Sequence, residues 1–252
     1  MKFYLNIPIA LSETVTKTYD LIVPAGNPSE IPLLIWIHGG AWRGGDKRIF
    51  NDFERFARRG FAVLSIDYRF IQETAFPAQL IDCKFAIRWA RAHAENYGYN
   101  ADTIIVGGGS AGGHLAALLG VTNDDPRYDI GMYLGHSSKV QAVVDEYGPV
   151  NLVNSDMPDF APVMDALLGD DPQLWHDASP LQLITGTEPP FLILHGTDDP
   201  TIPFDQSKRF YEALKTAGVD AQFYAVPGGL HGFDSLESYK ILTDFILAQT
   251  HR

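Results

Sequence analysis

The 252-residue sequence is poor in cysteine and in long apolar runs. These two shortages argue against a disulfide-stabilised protein and against a membrane-spanning protein. Cys83 is the only cysteine, so no internal disulfide can form and the fold does not require an oxidising compartment. No segment approaches the roughly 18 apolar residues that a membrane-spanning helix needs. The first 16 residues hold one lysine and a short apolar patch interrupted by Asn6 and Pro8, which predicts a strand rather than a signal peptide. We expect a cytoplasmic protein with no membrane partner, unless an export signal has been removed.

Positive charge is also scarce, since 19 lysines and arginines stand against 31 aspartates and glutamates. The formal net charge is -12 at pH 7, and no Lys/Arg-rich run offsets it locally. An acidic surface repels phosphate backbones and anionic lipids, so we exclude nucleic acid as a partner. The length suits one large α/β domain or two small ones, and the 46% of hydrophobic residues suffice for a substantial core. The sequence leaves the oligomeric state open, a homodimer included.

Apolar runs alternate with amphipathic helical stretches along most of the chain, which is typical of a parallel sheet covered on both faces. Two alternating stretches at the start, Lys2 to Ile9 and Thr14 to Val23, predict an antiparallel pair. In total we predict about eight strands in a single domain over residues 1–252. Residues 151–188 break the rhythm with four prolines and few strand signals, so we expect a small irregular lid or pocket wall there.

The stretch IIVGGGSAGGHLAA, from Ile104 to Ala117, fits two functional motifs that use the same glycines. Counted from Gly107 it spells G-x-G-x-x-G, the dinucleotide-binding fingerprint. Counted from Gly108 it spells G-x-S-x-G, the nucleophile elbow of serine hydrolases, with Ser110 at its centre. A dinucleotide site also needs a second strand that ends in an acidic residue about 20 residues later. That region of the chain is instead polar and rich in turns.

A serine hydrolase needs a base that removes the hydroxyl proton and N–H donors that stabilise the oxyanion. Ser110 lies between a predicted strand and a helix, where the amide of Ala111 would point at the reacting carbonyl. The HGGAW loop that starts at His38 follows another strand and offers the amide of Gly40 or Ala41 as a second donor.

Two later loops supply the other catalytic groups. The segment HGTDDPTIP offers Asp198 and Asp199 after one strand, and GGLHGF offers His231 after the last strand. The order nucleophile, acid, histidine is that of α/β-hydrolases. Four loops, each at the carboxyl end of a strand and in this order, favour the hydrolase over the dinucleotide-binding protein.

These motifs resemble those of the α/β-hydrolase superfamily, and within it the esterases related to hormone-sensitive lipase. The branch most similar contains carboxylesterases and bifunctional carbohydrate acetyl and feruloyl esterases. The resemblance covers nearly the whole chain from about Leu33 onward, through HGGAWRGGDK, DYRF, GGGSAGGHLAALLG, ASPL and PFLILHGTDDPTIPFDQS. It implies hydrolysis of a small-molecule or carbohydrate ester by Ser110, Asp199 and His231, without a metal or organic cofactor. The family pattern H-G-x-x-D-x-x-V/I-P places the acid at Asp199 rather than at Asp198.

Two points of substrate choice stay open in the sequence. The oxyanion loop reads H-G-G-A-W instead of H-G-G-G, and H-G-G-x-W is also the signature of kynurenine formamidases, which share this fold. An arylformamidase is therefore the alternative function.

We select Trp42, Tyr147 and Trp175 as substrate-binding residues, because large aromatic rings suit an aryl or sugar ring. His114, just inside the elbow helix, is expected to pack behind the elbow and not to act as a second base.

Overall fold

In the computed structural model, which describes residues 1–49, 53–153, 157–233 and 235–250, eight strands form one sheet. Their bounds are β1 Lys2–Ala10, β2 Thr16–Val23, β3 Pro32–Ile37, β4 Ala62–Ile66, β5 Asn100–Gly109, β6 Ala142–Glu146, β7 Phe191–Gly196 and β8 Ala221–Val226. The β1–β2 and β2–β4 pairs are antiparallel, and the other neighbours are parallel. The predicted mostly parallel sheet of about eight strands is confirmed, as is the antiparallel pair at the start.

The order of strands across the sheet places the candidate residues along one edge. It runs β1-β2-β4-β3-β5-β6-β7-β8, so β3 and β5 to β8 are parallel and their carboxyl ends lie together. The loops after these strands carry the HGGAW segment, Ser110, Tyr147, Asp199 and His231. In α/β sheets, ligands bind outside these carboxyl ends. The topology thus brings side chains as far apart in sequence as Ser110 and His231 to the same edge.

The described residues form seven α-helices, which cover both faces of the sheet. They are α1 Phe53–Ala57, α2 Ala78–Tyr97, α3 Ala111–Val121, α4 Ala161–Leu168, α5 Pro172–Asp177, α6 Phe204–Thr216 and α7 Leu236–Ala248. On β3, Leu33, Ile35 and Ile37 join a large apolar cluster with α2, α3 and α6. Leu34 and Trp36 point the other way and join a smaller cluster with α1 and α7. Because strand side chains alternate between faces, a strand buried on both sides reads as a continuous apolar run.

Residues 151–188 connect β6 to β7, and the structure gives this segment more helix than the sequence analysis predicts. It contains α4 and α5, each with a proline in its first turn. Proline is tolerated there because the first amides of a helix have no partner within it. Asp171 caps α5 by accepting the amide of Gln173 at 2.9 Å. Positions 154–156 of the segment lie outside the described residues, and its function as a lid stays a prediction.

One carboxylate, Asp145, is completely buried between β6 and α3. Its Oδ1 accepts the amide of Gly148 at 2.9 Å, whereas Oδ2 has no hydrogen-bond partner within the described residues. Burial raises the pKa of Asp145 to about 7, because the ionised form is poorly solvated there. The folded protein therefore holds a proton on Asp145 at pH values where the unfolded chain has released it.

We expect Asp145→Asn to stabilise the protein at alkaline pH. With a pKa raised in the folded state, Asp145 contributes fully to stability below pH 4, and this contribution is lost as the pH rises through about 7. Raising the pKa of Asp145 to about 7 corresponds to about 4 kcal/mol, so the free energy of unfolding of the variant should gain up to about that much over the wild type between pH 4 and pH 8. Urea denaturation across this range measures the difference, with the exposed Asp198→Asn as control. If the free energy of unfolding of Asp145→Asn and of the wild type changed with pH in parallel, this prediction would be contradicted.

Candidate active site

Ser110 lies in a sharp turn between the end of β5 at Gly109 and the start of α3 at Ala111. Its φ of 56° and ψ of -123° form a combination that residues with a side chain rarely adopt. The Ser110 amide donates to the carbonyl of Glu146 at 2.9 Å, and the His114 amide donates to the Ser110 carbonyl at 3.0 Å. These bonds hold the serine at the carboxyl edge of the sheet, as in a nucleophile elbow.

Glycines let this turn approach its neighbours closely. A Cβ on Gly108 would lie 2.5 Å from the carbonyl oxygen of Ile37, and a Cβ on Gly112 would collide with that same oxygen. A Cβ on Gly109 would lie 2.6 Å from the hydroxyl oxygen of Tyr147. Contacts of β5 with β3, α3 and Tyr147 therefore account for these glycines without a bound dinucleotide.

Ser110, His231 and Asp199 form one chain of hydrogen bonds. His231 Nε2 lies 2.9 Å from Ser110 Oγ, and His231 Nδ1 lies 2.8 Å from Asp199 Oδ2. Because a carboxylate only accepts, His231 carries its proton on Nδ1 and leaves Nε2 able to accept the serine proton. The neighbouring Asp198 is exposed and accepts from the Thr197 hydroxyl instead. The structure thus joins the three residues selected from the sequence.

The Asp199 carboxylate is buried and accepts four hydrogen bonds. Oδ1 accepts the amides of Thr201 at 2.7 Å and Ile202 at 3.0 Å. Oδ2 accepts from His231 and also from Nε2 of His195 at 3.1 Å. Burial by itself would raise the pKa of Asp199, but these hydrogen bonds outweigh it and hold the pKa well below its usual range. Asp199 is therefore an anion throughout the neutral pH range.

The loop after β3 lies directly beside the elbow. A Cβ on Gly39 would lie 2.8 Å from a backbone oxygen of the elbow and 3.2 Å from Ser110 Cβ. Gly40 and Ala41 have positive φ angles of 114° and 51°, which fold the loop back on itself. Ala111 is the first residue of α3, a position where the amide has no partner inside the helix. Both loops thus border Ser110, and the action of their amides as oxyanion donors stays a prediction.

His38 fixes the start of this loop. Its Nδ1 donates to the carbonyl of Gly39 at 2.7 Å, and its ring stacks on Tyr68 with centroids 4.5 Å apart. The Tyr68 hydroxyl in turn donates to the His38 carbonyl at 3.0 Å. Burial lowers the pKa of His38. The ring is thus a neutral support for the loop.

Gly39→Ala should lower kcat/KM about 100-fold for the ester hydrolysis that the sequence motifs predict, because the added methyl group pushes the loop away from Ser110. Gly44→Ala in the same loop is the matched control, since a Cβ at that position meets no described atom within 4 Å. Steady-state kinetics, with the melting temperature of each variant, make the comparison. Equal losses in the two variants, or none in Gly39→Ala, would show that the approach of the loop to the elbow is unimportant.

Ser110 lines a cavity of about 990 Å³ at the carboxyl edge of the sheet. Arg43 and Glu146 place charged side chains on its wall, and most of the remaining side chains are aromatic or apolar. The aromatic residues are Trp36, Phe56, Tyr147, Phe160, Phe233 and Tyr239. Tyr147, which the sequence analysis selects for substrate binding, has its ring 4.9 Å from that of His231 in an edge-on arrangement.

Trp42 and Trp175 are not among the residues that line this cavity, and their selection as substrate-binding residues stays a prediction. Trp42 is 2% exposed, and its indole N–H donates to Nδ1 of His114 at 3.2 Å. Its positive φ of 54° turns the side chain from the loop into the core. Trp175, on α5, donates its indole N–H to the carbonyl of Gly169 at 2.8 Å. Both indole N–H groups therefore donate to groups of the chain itself.

His114 packs behind the elbow, as expected. It is fully buried, accepts from Trp42 on Nδ1 and donates from Nε2 to the carbonyl of Ala178 at 2.8 Å. Burial lowers the pKa of His114 to about 4. The residue is thus a neutral bridge between the loop after β3 and the segment after α5.

Two kinds of residue in this site are absent from the set predicted from the sequence, namely part of the cavity wall and a second partner of Asp199. Phe233 and Tyr239 on the cavity wall are among them, although Phe233 lies only two positions after His231 in the same loop. Trp36 could have been found from strand alternation, because it shares a face of β3 with the position of His38. His195, which contacts Asp199, is the first residue of the H-G-x-x-D motif that identifies the acid.

Three further findings concern the described residues alone. No three His, Cys, Asp or Glu side chains converge there as a metal site requires. None of the described helices is long and apolar enough to cross a membrane. Cys83 is a buried free thiol, and burial raises its pKa, which makes it unreactive.

Comparison with known sequences places most of the chain in one family. The BD-FAE family model matches residues 19–214. The chain is 38% identical over 217 residues to esterase LipC of Mycobacterium tuberculosis, an alignment that covers 82% of this chain and 54% of LipC. It is 37% identical over 213 residues to esterase LipQ of the same organism, covering 81% and 50% of the two chains. The chain thus spans about half the length of these curated relatives.

Solved structures resemble the chain over its whole length. A truncated carbohydrate esterase from gut microbiota has a TM-score of 0.90 and 30% identity, with 100% of this chain and 97% of that chain covered. Esterase Est2 of Thermogutta terrifontis with butyrate bound has a TM-score of 0.81 and 27% identity, with 97% and 94% covered. These proteins share the α/β-hydrolase fold described above.

Proposed function

The chain belongs to the BD-FAE family of α/β-hydrolases, and from that premise we propose that it is a serine esterase for small acyl groups. One observation carries the proposal: Ser110, held in a strained turn on the cavity wall, is hydrogen-bonded to a histidine that is hydrogen-bonded to a buried aspartate. The names of relatives, two esterases and a carbohydrate esterase, support the same class. Acetyl, short-chain and feruloyl-type esters of small alcohols or carbohydrates are the proposed substrates.

Catalysis begins with proton transfer from Ser110 to His231. His231 Nε2, 2.9 Å from Ser110 Oγ, takes the hydroxyl proton as Oγ attacks the ester carbonyl carbon. Asp199 holds the proton-bearing Nδ1 in place and stabilises the imidazolium that forms. His231 then gives the Nε2 proton to the leaving alcohol, and an acyl-serine remains. Water attacks this ester with His231 again as base, and His231 then returns the proton to Ser110 Oγ as the carboxylic acid is released.

The developing oxyanion is stabilised by amides at the two loops that meet at Ser110. Ala111 supplies one donor at the positive end of α3, and Gly40 or Ala41 supplies the second. Each donor is worth about 3 kcal/mol in the transition state. The close packing of Gly39 on the elbow keeps the two loops next to each other, since even one methyl group on Gly39 would separate them.

The cavity supports acyl groups of modest size with an apolar or aryl character. Its aromatic wall adjoins His231 through Tyr147 and Phe233, whose ring centroids lie 5.3 Å apart. Aromatic walls of this kind bury an acyl or aryl group with little loss of side-chain entropy. Est2 of T. terrifontis, solved with butyrate, is an example of the fold with a short acyl ligand.

The test is an acyl series of p-nitrophenyl esters from acetyl to decanoyl, together with methyl ferulate and acetylated xylan. We expect the highest kcat/KM among the short chains or the ferulate, with a steep fall towards decanoyl. Ser110→Ala is run in parallel to assign the activity to this site. Absence of hydrolysis across the whole series would overturn the esterase proposal.

Arylformamide hydrolysis is the alternative, favoured by the H-G-G-x-W form of the oxyanion loop. Trp42 is buried against His114, so its ring does not select between an ester and a formamide directly. N-formylkynurenine and p-nitrophenyl acetate assayed side by side separate the two functions. A kcat/KM that is higher for the formamide would replace the esterase by the formamidase.

A further inference from the structure

A second histidine, His195, binds the same oxygen of Asp199 that His231 binds. His195 Nε2 lies 3.1 Å from Asp199 Oδ2, and His231 Nδ1 lies 2.8 Å from that atom. His195 is 0% exposed and lies on β7, four residues before Asp199. The shared oxygen therefore connects a rigid, buried strand to the loop histidine that faces Ser110.

The hydrogen bonds of His195 fix where its proton lies. Nε2 faces two groups that only accept, Asp199 Oδ2 and the carbonyl of Ile202 at 3.0 Å, so Nε2 carries a hydrogen. Nδ1 lies 2.7 Å from Oγ of Ser207 on α6, a hydroxyl that can donate to it. The Phe204 ring packs edge-on against the imidazole at 5.7 Å. His195 thus holds an N–H donor aimed at Asp199.

We propose that His195 is a positioning residue, which orients the Asp199 carboxylate and weakens it as an acceptor for His231. The inference rests on the proposed function and deepens it. The two amides on Oδ1 anchor one oxygen of the carboxylate, and His195 anchors the other. A carboxylate with every acceptor direction filled cannot rotate away when His231 moves during turnover.

The second effect is electrostatic. The N–H of His195 points its positive end at Oδ2, and therefore opposes the charge that His231 gains as an imidazolium. Both rings face the same Asp199 charge. Tyr147 lies beside His231, and burial raises the pKa of its phenol, so it stays neutral in the range tested. Removing the His195 donor should make His231 easier to protonate.

Two amide variants separate these effects from packing. His195→Asn keeps a polar group near Ser207 but is too short to reach Asp199, whereas His195→Gln can place a donor where Nε2 lies. His195→Leu is a second variant without the donor, in case the asparagine recruits water. Ser207→Ala is the matched control, because it removes one buried hydrogen bond of His195 without touching Asp199.

The first readout is the titration midpoint of the His231 imidazole in the intact protein, measured by long-range ¹H–¹⁵N NMR, which needs no substrate. The second is the pH dependence of kcat and KM with p-nitrophenyl acetate. For His195→Asn and His195→Leu we expect the NMR midpoint of His231 and the midpoint of the pH dependence of kcat to rise by about 0.5 to 1 pH unit. We also expect kcat to fall about tenfold with KM unchanged. His195→Gln should restore the midpoint, and Ser207→Ala should leave it at the wild-type value.

An unchanged His231 midpoint in both variants that lack the donor overturns the inference, as does an equal shift in Ser207→Ala. A loss of kcat that follows the melting temperature while the midpoint stays fixed would mean that His195 only supports the fold. A wild-type protein that hydrolyses none of the esters would instead overturn the proposed function. The NMR titration still decides the influence of His195 in that case.

Discussion

Ser110→Ala is expected to lower kcat for ester hydrolysis about 10⁶-fold, which is the scale of loss when the nucleophile of a serine hydrolase is removed. The fold should tolerate the change. The Ser110 side chain does not cap α3, and alanine bears no greater penalty than serine at a φ of 56°. His231 is 23% exposed on its side chain, so water can replace the lost hydroxyl at Nε2. The loss should therefore fall on chemistry and leave stability near the wild-type value.

Labelling with an organophosphate that phosphorylates active serines provides the companion measurement. Intact mass spectrometry should show a single adduct on the wild-type protein, on the peptide that contains Ser110, and none on Ser110→Ala. Circular dichroism and thermal denaturation of both proteins are the control for folding. If Ser110→Ala keeps more than about a thousandth of the wild-type kcat, another group is the nucleophile.

The parts of this molecule that the sequence predicts well are those that depend on local patterns. The strands are continuous apolar runs because both faces of the sheet are covered, so their existence and mostly parallel pairing can be inferred. Gly108 and Gly112 of the elbow are fixed by contacts within a few residues of Ser110 and across to the end of β3. Once parallel strands are inferred, their carboxyl ends must share an edge, which places Asp199 and His231 near Ser110.

Several residues of the cavity wall depend on geometry that the sequence does not carry. A positive φ at Trp42 decides whether its indole enters the core or the cavity, and no pattern in HGGAW specifies that angle. Phe56 on α1 and Tyr239 on α7 reach the cavity only through the packing of two helices on one face of the sheet.

The two prolines of α4 and α5 suggest an irregular chain, yet both lie in the first turn, where a helix tolerates proline.

The dinucleotide fingerprint within the elbow also results from packing in the folded structure. A Cβ on Gly107 would lie 2.6 Å from the Trp36 ring, and a Cβ on Gly109 would lie 2.6 Å from the Tyr147 hydroxyl. Large aromatic side chains on β3 and after β6 thus require the glycines that complete G-x-G-x-x-G. The spacing is set by packing against those rings, which only the folded structure reveals.

Asp199→Asn is expected to lower kcat/KM about 10⁴-fold with the fold retained. The asparagine can keep its oxygen on the amides of Thr201 and Ile202, which places its NH₂ group where Oδ2 now lies. That group donates, so His231 must accept at Nδ1 and carry its proton on Nε2. In this tautomer Nε2 faces Ser110 with a hydrogen and cannot remove the serine proton. His195 keeps an acceptor in the carbonyl of Ile202 at 3.0 Å, so the disturbance concentrates on His231.

The matched control is Asp198→Asn, one position earlier in the same loop. Asp198 is exposed and accepts from the Thr197 hydroxyl, an interaction that asparagine can preserve, so kcat/KM should stay within about twofold of the wild type. Steady-state kinetics at pH 8 and circular dichroism of the three proteins make the comparison. A 10⁴-fold loss corresponds to about 5.5 kcal/mol of transition-state stabilisation, several times what one exposed hydrogen bond supplies. Comparable losses in the two variants would mean that the loop as a whole, and not the acceptor on His231, governs the rate.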